Sequence, residues 1–250
     1  MKDNIASITF CICYLLVIWA VMIKAYADGR KKGPIKERPA CWKWVFIAYF
    51  LLAFGDIFHL APRVYIYAKG LLPMDIVTRN LLGPGYIISS ITMTYLYIAL
   101  THAWIDIFGE KYSTRKQNRN LLIIMYVTFV IRIILVFHPY NSWVDRNPTG
   151  ALGFDFHIIS SIPLYVIGIL LIVKIFQSTV KEKASPTGID EQINDGFYKA
   201  AIWFIVSFAT YTMTIGFKAF DSRFGLFMIP KTIAYLIALY YHYKTILRRV

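Results

Sequence analysis

The sequence predicts an all-α integral membrane protein: a single domain over 1–250 with seven transmembrane helices, the N-terminus outside and the C-terminus cytoplasmic. Three observations predict it. The chain is 58% hydrophobic and 16% charged, with a mean hydropathy of +0.53, whereas soluble domains carry about 25% charged residues. Its apolar residues gather into seven runs, each able to supply the roughly 20 residues that cross a bilayer core. Its basic residues concentrate in alternate connections between those runs.

The runs cover 4–26, 41–68, 81–108, 120–140, 154–178, 198–220 and 225–247. Ahead of the first stands only Lys2, and a basic segment follows it. Ala25-Tyr26-Ala27 has the look of a signal cleavage site, but the run is too long for a signal peptide and reads as a retained helix. The second and third runs exceed the bilayer core, which predicts tilt, a kink or projection into the interface. Pro62 and Pro163 lie inside their runs, where each removes a backbone donor. Pro84 and Pro230 lie near the starts of theirs, where proline is easily accommodated. The segment 179–197, with Ser185-Pro186-Thr187-Gly188, reads as a flexible polar loop.

Orientation follows from the charges. Connections 27–40, 109–119 and 179–199 and the C-terminal tail carry fifteen Lys and Arg, against five in the alternate connections and at the N-terminus. The basic side is cytoplasmic by the positive-inside rule, and an odd number of crossings puts the N-terminus outside. This distribution accounts for the net charge of +13 and argues against a nucleic-acid partner; the expected partner is the lipid bilayer of the cell (plasma) membrane. Cys11, Cys13 and Cys41 are odd in number and show no metal spacing, so they read as small apolar residues. No P-loop, serine elbow or dinucleotide-binding glycine pattern occurs.

The chemistry concentrates in Phe54-Gly55-Asp56-Ile57-Phe58-His59-Leu60-Ala61-Pro62-Arg63. Asp56, His59 and Arg63 share one helical face at i, i+3 and i+7, and ionisable groups at membrane depth are costly enough to mark function. The assigned orientation brings further polar groups to the same outer half. Arg132 lies near mid-depth in the fourth run and His138 at its outer end. Asp155, His157, Ser160 and Ser161 open the fifth. Lys218 closes a stripe with Ser207, Tyr211 and Thr214 in the sixth. Lys231 and Tyr235 lie in the seventh, and Ser90 and Thr94 in the third. The cheapest way to satisfy them together is to turn them inward around one polar cavity open to the outside.

Positive charge exceeds negative there, and arginine suits carboxylate and phosphate. The favoured reading is therefore binding of a small anionic ligand or lipid headgroup, for transport or sensing. Its candidate residues are Asp56, His59, Arg63, Ser90, Thr94, Arg132, Lys218, Lys231 and Tyr235. The first alternative is an intramembrane hydrolase with zinc on His59, His138, His157 and Asp56, in which Asp56 is a ligand or general base. It lacks any His-x-x-x-His spacing, and the nearby cations oppose a dication. The second is a structural protein whose charges are merely paired. No cofactor is favoured, and whether the chain is an enzyme is left open. On the cytoplasmic side His102 and Asp106, at i and i+4, join His242 in a smaller cluster that reads as a surface pair rather than a proton site.

Overall fold

The computed structural model describes residues 2–71, 76–141, 156–186, 188–217 and 226–250. Among them every regular element is helical. The helices are α1 (Lys2–Lys31), α2 (Ala40–Lys69), α3 (Ile76–Trp104), α4 (Arg115–Val136), α5 (Phe156–Ala184), α6 (Glu191–Phe217) and α7 (Met228–His242). A π-helical turn, Ile105–Gly109, carries α3 on into a short helix, Glu110–Tyr112. A second one, Tyr243–Leu247, extends α7. Six helices, α1 to α6, are long and apolar enough to cross a membrane. α7 has fifteen α-helical residues, and its π turn lengthens it towards a spanning element. This is the architecture of a helical integral membrane protein.

Helix ends depart from the sequence expectation where local chemistry overrides hydropathy. α1 runs on to Lys31, placing Arg30 and Lys31 in its last turn, where cations complement the helix dipole. α4 stops at Val136 rather than 140 because His138-Pro139-Tyr140 forms a turn closed by the Asn141 amide on the His138 carbonyl, 2.8 Å. Its start is fixed by a capping box in which Thr114 and Gln117 satisfy each other's backbone amides. Pro84 lies well inside α3 rather than near its start. The flexible loop expected over 179–197 is largely helical: α5 continues to Ala184 and α6 begins at Glu191. Two buried or capping acids hold it. Glu182 accepts hydrogen bonds from the Tyr112 hydroxyl and the Ile189 amide, and Asp190 accepts from the Gln192 amide at 2.8 Å.

Successive helices pack side by side, and the C-terminal π turn closes the set against α1, α2 and α6. α3 is central, touching α2, α4 and α5. Its approach to α2 is close enough to involve backbone: a Cβ at Gly85 would stand 2.1 Å from the Phe58 carbonyl oxygen, and one at Gly55 2.0 Å from Thr92 Oγ1. Membrane helices use such small residues to pack without a hydrophobic drive between them. The interior holds Tyr49, Leu52, Leu96, Tyr97, Trp104, Phe197 and Phe204. Ile123, Val127 and Ile134 on α4 and Ile169 and Val173 on α5 remain exposed, which suits lipid.

The four basic connections meet at one end of the bundle. Arg38 donates to the Gly29 carbonyl and, at 2.7 Å, to the Val250 carbonyl. The Trp42 indole donates to the Leu247 carbonyl at 2.9 Å, Tyr243 to Asp28 at 2.7 Å, and Arg249 pairs with Asp190 at 3.1 Å. Thirty residues of α1 place the start of that helix about 45 Å away, at the opposite end.

Candidate anion-binding site

Asp56 lies near the middle of α2 and, with His59, is buried. Its carboxylate accepts a 2.5 Å hydrogen bond from the Tyr14 hydroxyl of α1. Tyr14 is mid-helix rather than at an interface, so its hydroxyl needs an interior partner. Asp56 therefore engages a neutral donor, and among the described residues it forms no ion pair.

The same face of α2 divides above Asp56. His59 packs edge-on against the Tyr86 ring of α3, centroids 4.8 Å apart. Arg63, one turn further, donates to the Tyr86 hydroxyl at 2.9 Å and lies 5.5 Å from its ring centroid. The close α2–α3 approach at Gly85 brings these groups together, since Tyr86 is the next residue.

Arg132 is 0% exposed, one turn from the end of α4. Its Nη2 donates to Ser90 Oγ on α3 at 3.3 Å. Its Nε and Nη1 have no hydrogen-bond partner. Lys231, in the first turn of α7, sits over the Tyr211 ring at 4.3 Å and has Asp56, Arg63 and Arg132 within electrostatic range. Tyr211 joins these helices: its hydroxyl meets Ser161 Oγ at 3.1 Å and His157 Nε2 at 3.4 Å, and it is also a hydrogen-bonding and electrostatic neighbour of Arg132.

The structure thus gathers Asp56, His59, Arg63, Ser90, Arg132, Lys231 and His157 into one polar region spanning α2, α3, α4, α5 and α7. Tyr235 lies deeper, its hydroxyl 2.7 Å from that of Tyr97. Thr94 is satisfied within its own helix by the Ser90 carbonyl at 2.7 Å. Lys218 and Asp155 fall outside the described residues. Tyr211 belongs to the region as its stripe with Ser207 and Thr214 led one to expect, whereas Tyr14 and Tyr86 were not expected from sequence. Tyr14 could have been found from its mid-helix position.

The alternative zinc set does not assemble. Among the described residues no group of three His, Cys, Asp or Glu is placed to hold a metal. His138 stacks on Phe156 at 4.8 Å and accepts from the Tyr140 amide, because the turn after α4 carries it away from the interior. His59, His157 and Asp56 face Tyr86, Tyr211 and Tyr14 respectively.

The smaller cluster expected from His102, Asp106 and His242 is likewise dispersed. The π turn after Trp104 breaks the register that would align His102 with Asp106. His102 stacks on Trp44 at 4.2 Å and meets the Tyr126 hydroxyl at 2.9 Å. Asp106 instead caps the start of α2, accepting from the Cys41 amide at 2.7 Å. His242 is buried against the Tyr49 hydroxyl at 2.7 Å.

No protein-family model, curated protein or solved structure matches the chain at a significant level. The class stated above, a helical integral membrane protein, therefore rests on the helices themselves.

Proposed function

We propose that the protein is a seven-span plasma-membrane protein, N-terminus outside, that binds a small anionic ligand or lipid headgroup in the polar region around Arg132, for transport or sensing. One observation carries the reading: Arg132 is fully buried, its hydrogen-bonding neighbours Ser90 and Tyr211 are neutral, and no carboxylate among the described residues pairs with it. A buried charge without a counter-ion is strongly unfavourable. A bound anion would provide the missing counter-charge and accept from the guanidinium in the forked geometry that arginine offers to carboxylate and phosphate. Lys231 and Arg63 add positive charge, while Asp56 is engaged by Tyr14, which keeps it from cancelling theirs through a direct ion pair. Low-dielectric surroundings strengthen the attraction.

Sidedness follows from the basic end. Its clustered Lys and Arg favour the cytoplasmic face, which turns the Arg132 region outward. The test is a thermal-shift panel on purified protein with phosphate, sulfate, glycerophosphate and short carboxylates. At least one anion raises the wild-type midpoint, and Arg132→Met and Lys231→Met each weaken that shift. If both variants respond like wild type to every anion, the reading is wrong.

A further inference from the structure

We infer a second site, for a phosphate-bearing headgroup, at the basic end of the bundle, where α3, α4 and α5 meet. A cavity of about 230 Å³ opens there, and its lining includes Lys174, Gln177 and Lys181 of α5 with Ser113 and Gln117 from the start of α4. Lys174 and Lys181 are seven residues apart and share a helical face. Neither forms an ion pair among the described residues. No Asp or Glu lines the cavity. The acid next in sequence, Glu182, is buried and accepts from Tyr112 and the Ile189 amide instead. The cavity therefore presents two ammonium groups and several neutral donors to a ligand, with no built-in anion to compete.

The position identifies the ligand further. Lys174 lies ten residues before the end of α5, about 15 Å along its axis, which is where a headgroup meets the hydrocarbon. One and two turns from Gln177 towards the membrane interior, Val173 and Ile169 are exposed and apolar, which suits acyl chains. Basic pockets between membrane helices on the cytoplasmic side are suited to anionic headgroups. The chemistry is that of a phosphate ester, from an anionic phospholipid or from free phosphate. This inference does not depend on the Arg132 site, which lies towards the other end of the bundle.

The test uses the full chain in neutral detergent, titrated in separate arms with phosphatidic acid, phosphatidylcholine and inorganic phosphate. Phosphatidic acid raises the thermal midpoint and phosphatidylcholine does not. Lys174→Gln with Lys181→Gln weakens the apparent affinity about tenfold, whereas Arg115→Gln with Lys116→Gln, outside the cavity, leaves it near wild type. Ser113→Asp, which places an acid at the rim, abolishes the shift while the lipid-free midpoint stays unchanged; this keeps the test decisive if the lysine variant folds poorly. An equal shift with inorganic phosphate, lost in the same variants, supports the site and assigns it to free phosphate. The inference is overturned if no phosphate compound shifts the midpoint, or if both double variants weaken the response alike. It is also overturned if Arg132→Met removes the phosphatidic acid shift, since the lipid would then be acting at the other end.

Discussion

The two ends of this bundle treat their charged side chains in opposite ways. At the basic end, Arg38 spans two carbonyls, Asp106 caps α2, Glu182 is engaged by Tyr112, and Asp190 pairs with Arg249. Towards the other end, Arg132 keeps two unpartnered nitrogens, Lys231 rests on an aromatic face, and Asp56 meets only a tyrosine. Both ends hold buried charge, but only one has spent it on closing the fold. Satisfied groups explain why the helices sit where they do, and unsatisfied ones call for something from outside the chain.

That contrast can be broken by substitution. The largest effect falls where the two helices under the polar region touch: Gly85→Ala puts a methyl into the Phe58 carbonyl and costs about 3 kcal/mol or more. It also weakens anion binding by displacing Arg63 from Tyr86, read by thermal midpoint and titration together. Next, Arg38→Ala at the basic end removes the bonds that tie the C-terminus to α1, and costs about 2–3 kcal/mol without altering anion affinity. A loss of affinity as large as the loss of stability would erase the distinction between the ends. Arg132→Met has the opposite sign, stabilising the ligand-free protein by about 1–2 kcal/mol because an unpaired buried charge is removed. The smallest effect is Tyr14→Phe, which loses one hydrogen bond to Asp56 and about 1 kcal/mol. It sharpens the comparison, because freeing Asp56 to face Lys231 should weaken anion binding.

The fold was legible because hydropathy and charge report solvent, and solvent dominates membrane architecture. Each of the seven runs carries a helix, six of them long and apolar enough to cross a membrane, and the basic connections met at one end. What sequence missed was local: the helical continuation of α5 past Ser178, the early end of α4 at Val136, and the π turn that separates His102 from Asp106. Each depends on a hydrogen-bond partner or register that periodicity does not encode. The site was legible as a set of costly residues, with Asp56, His59, Arg63, Arg132 and Lys231 converging. Their partners were not, because Tyr86 and Tyr211 reach them through tertiary packing. Nor was the partner of Asp56 legible: the Tyr14 hydroxyl reaches it because α1 packs on α2 at that level.

The proposed function requires Arg132 to be held for a ligand rather than for the fold. The most direct measurement compares the thermal midpoints of wild type and Arg132→Met, each with and without the anion that shifts wild type most. The expected result is a higher midpoint for the variant without anion and no further rise with it. A variant that is less stable than wild type yet shifts fully with the anion would contradict it.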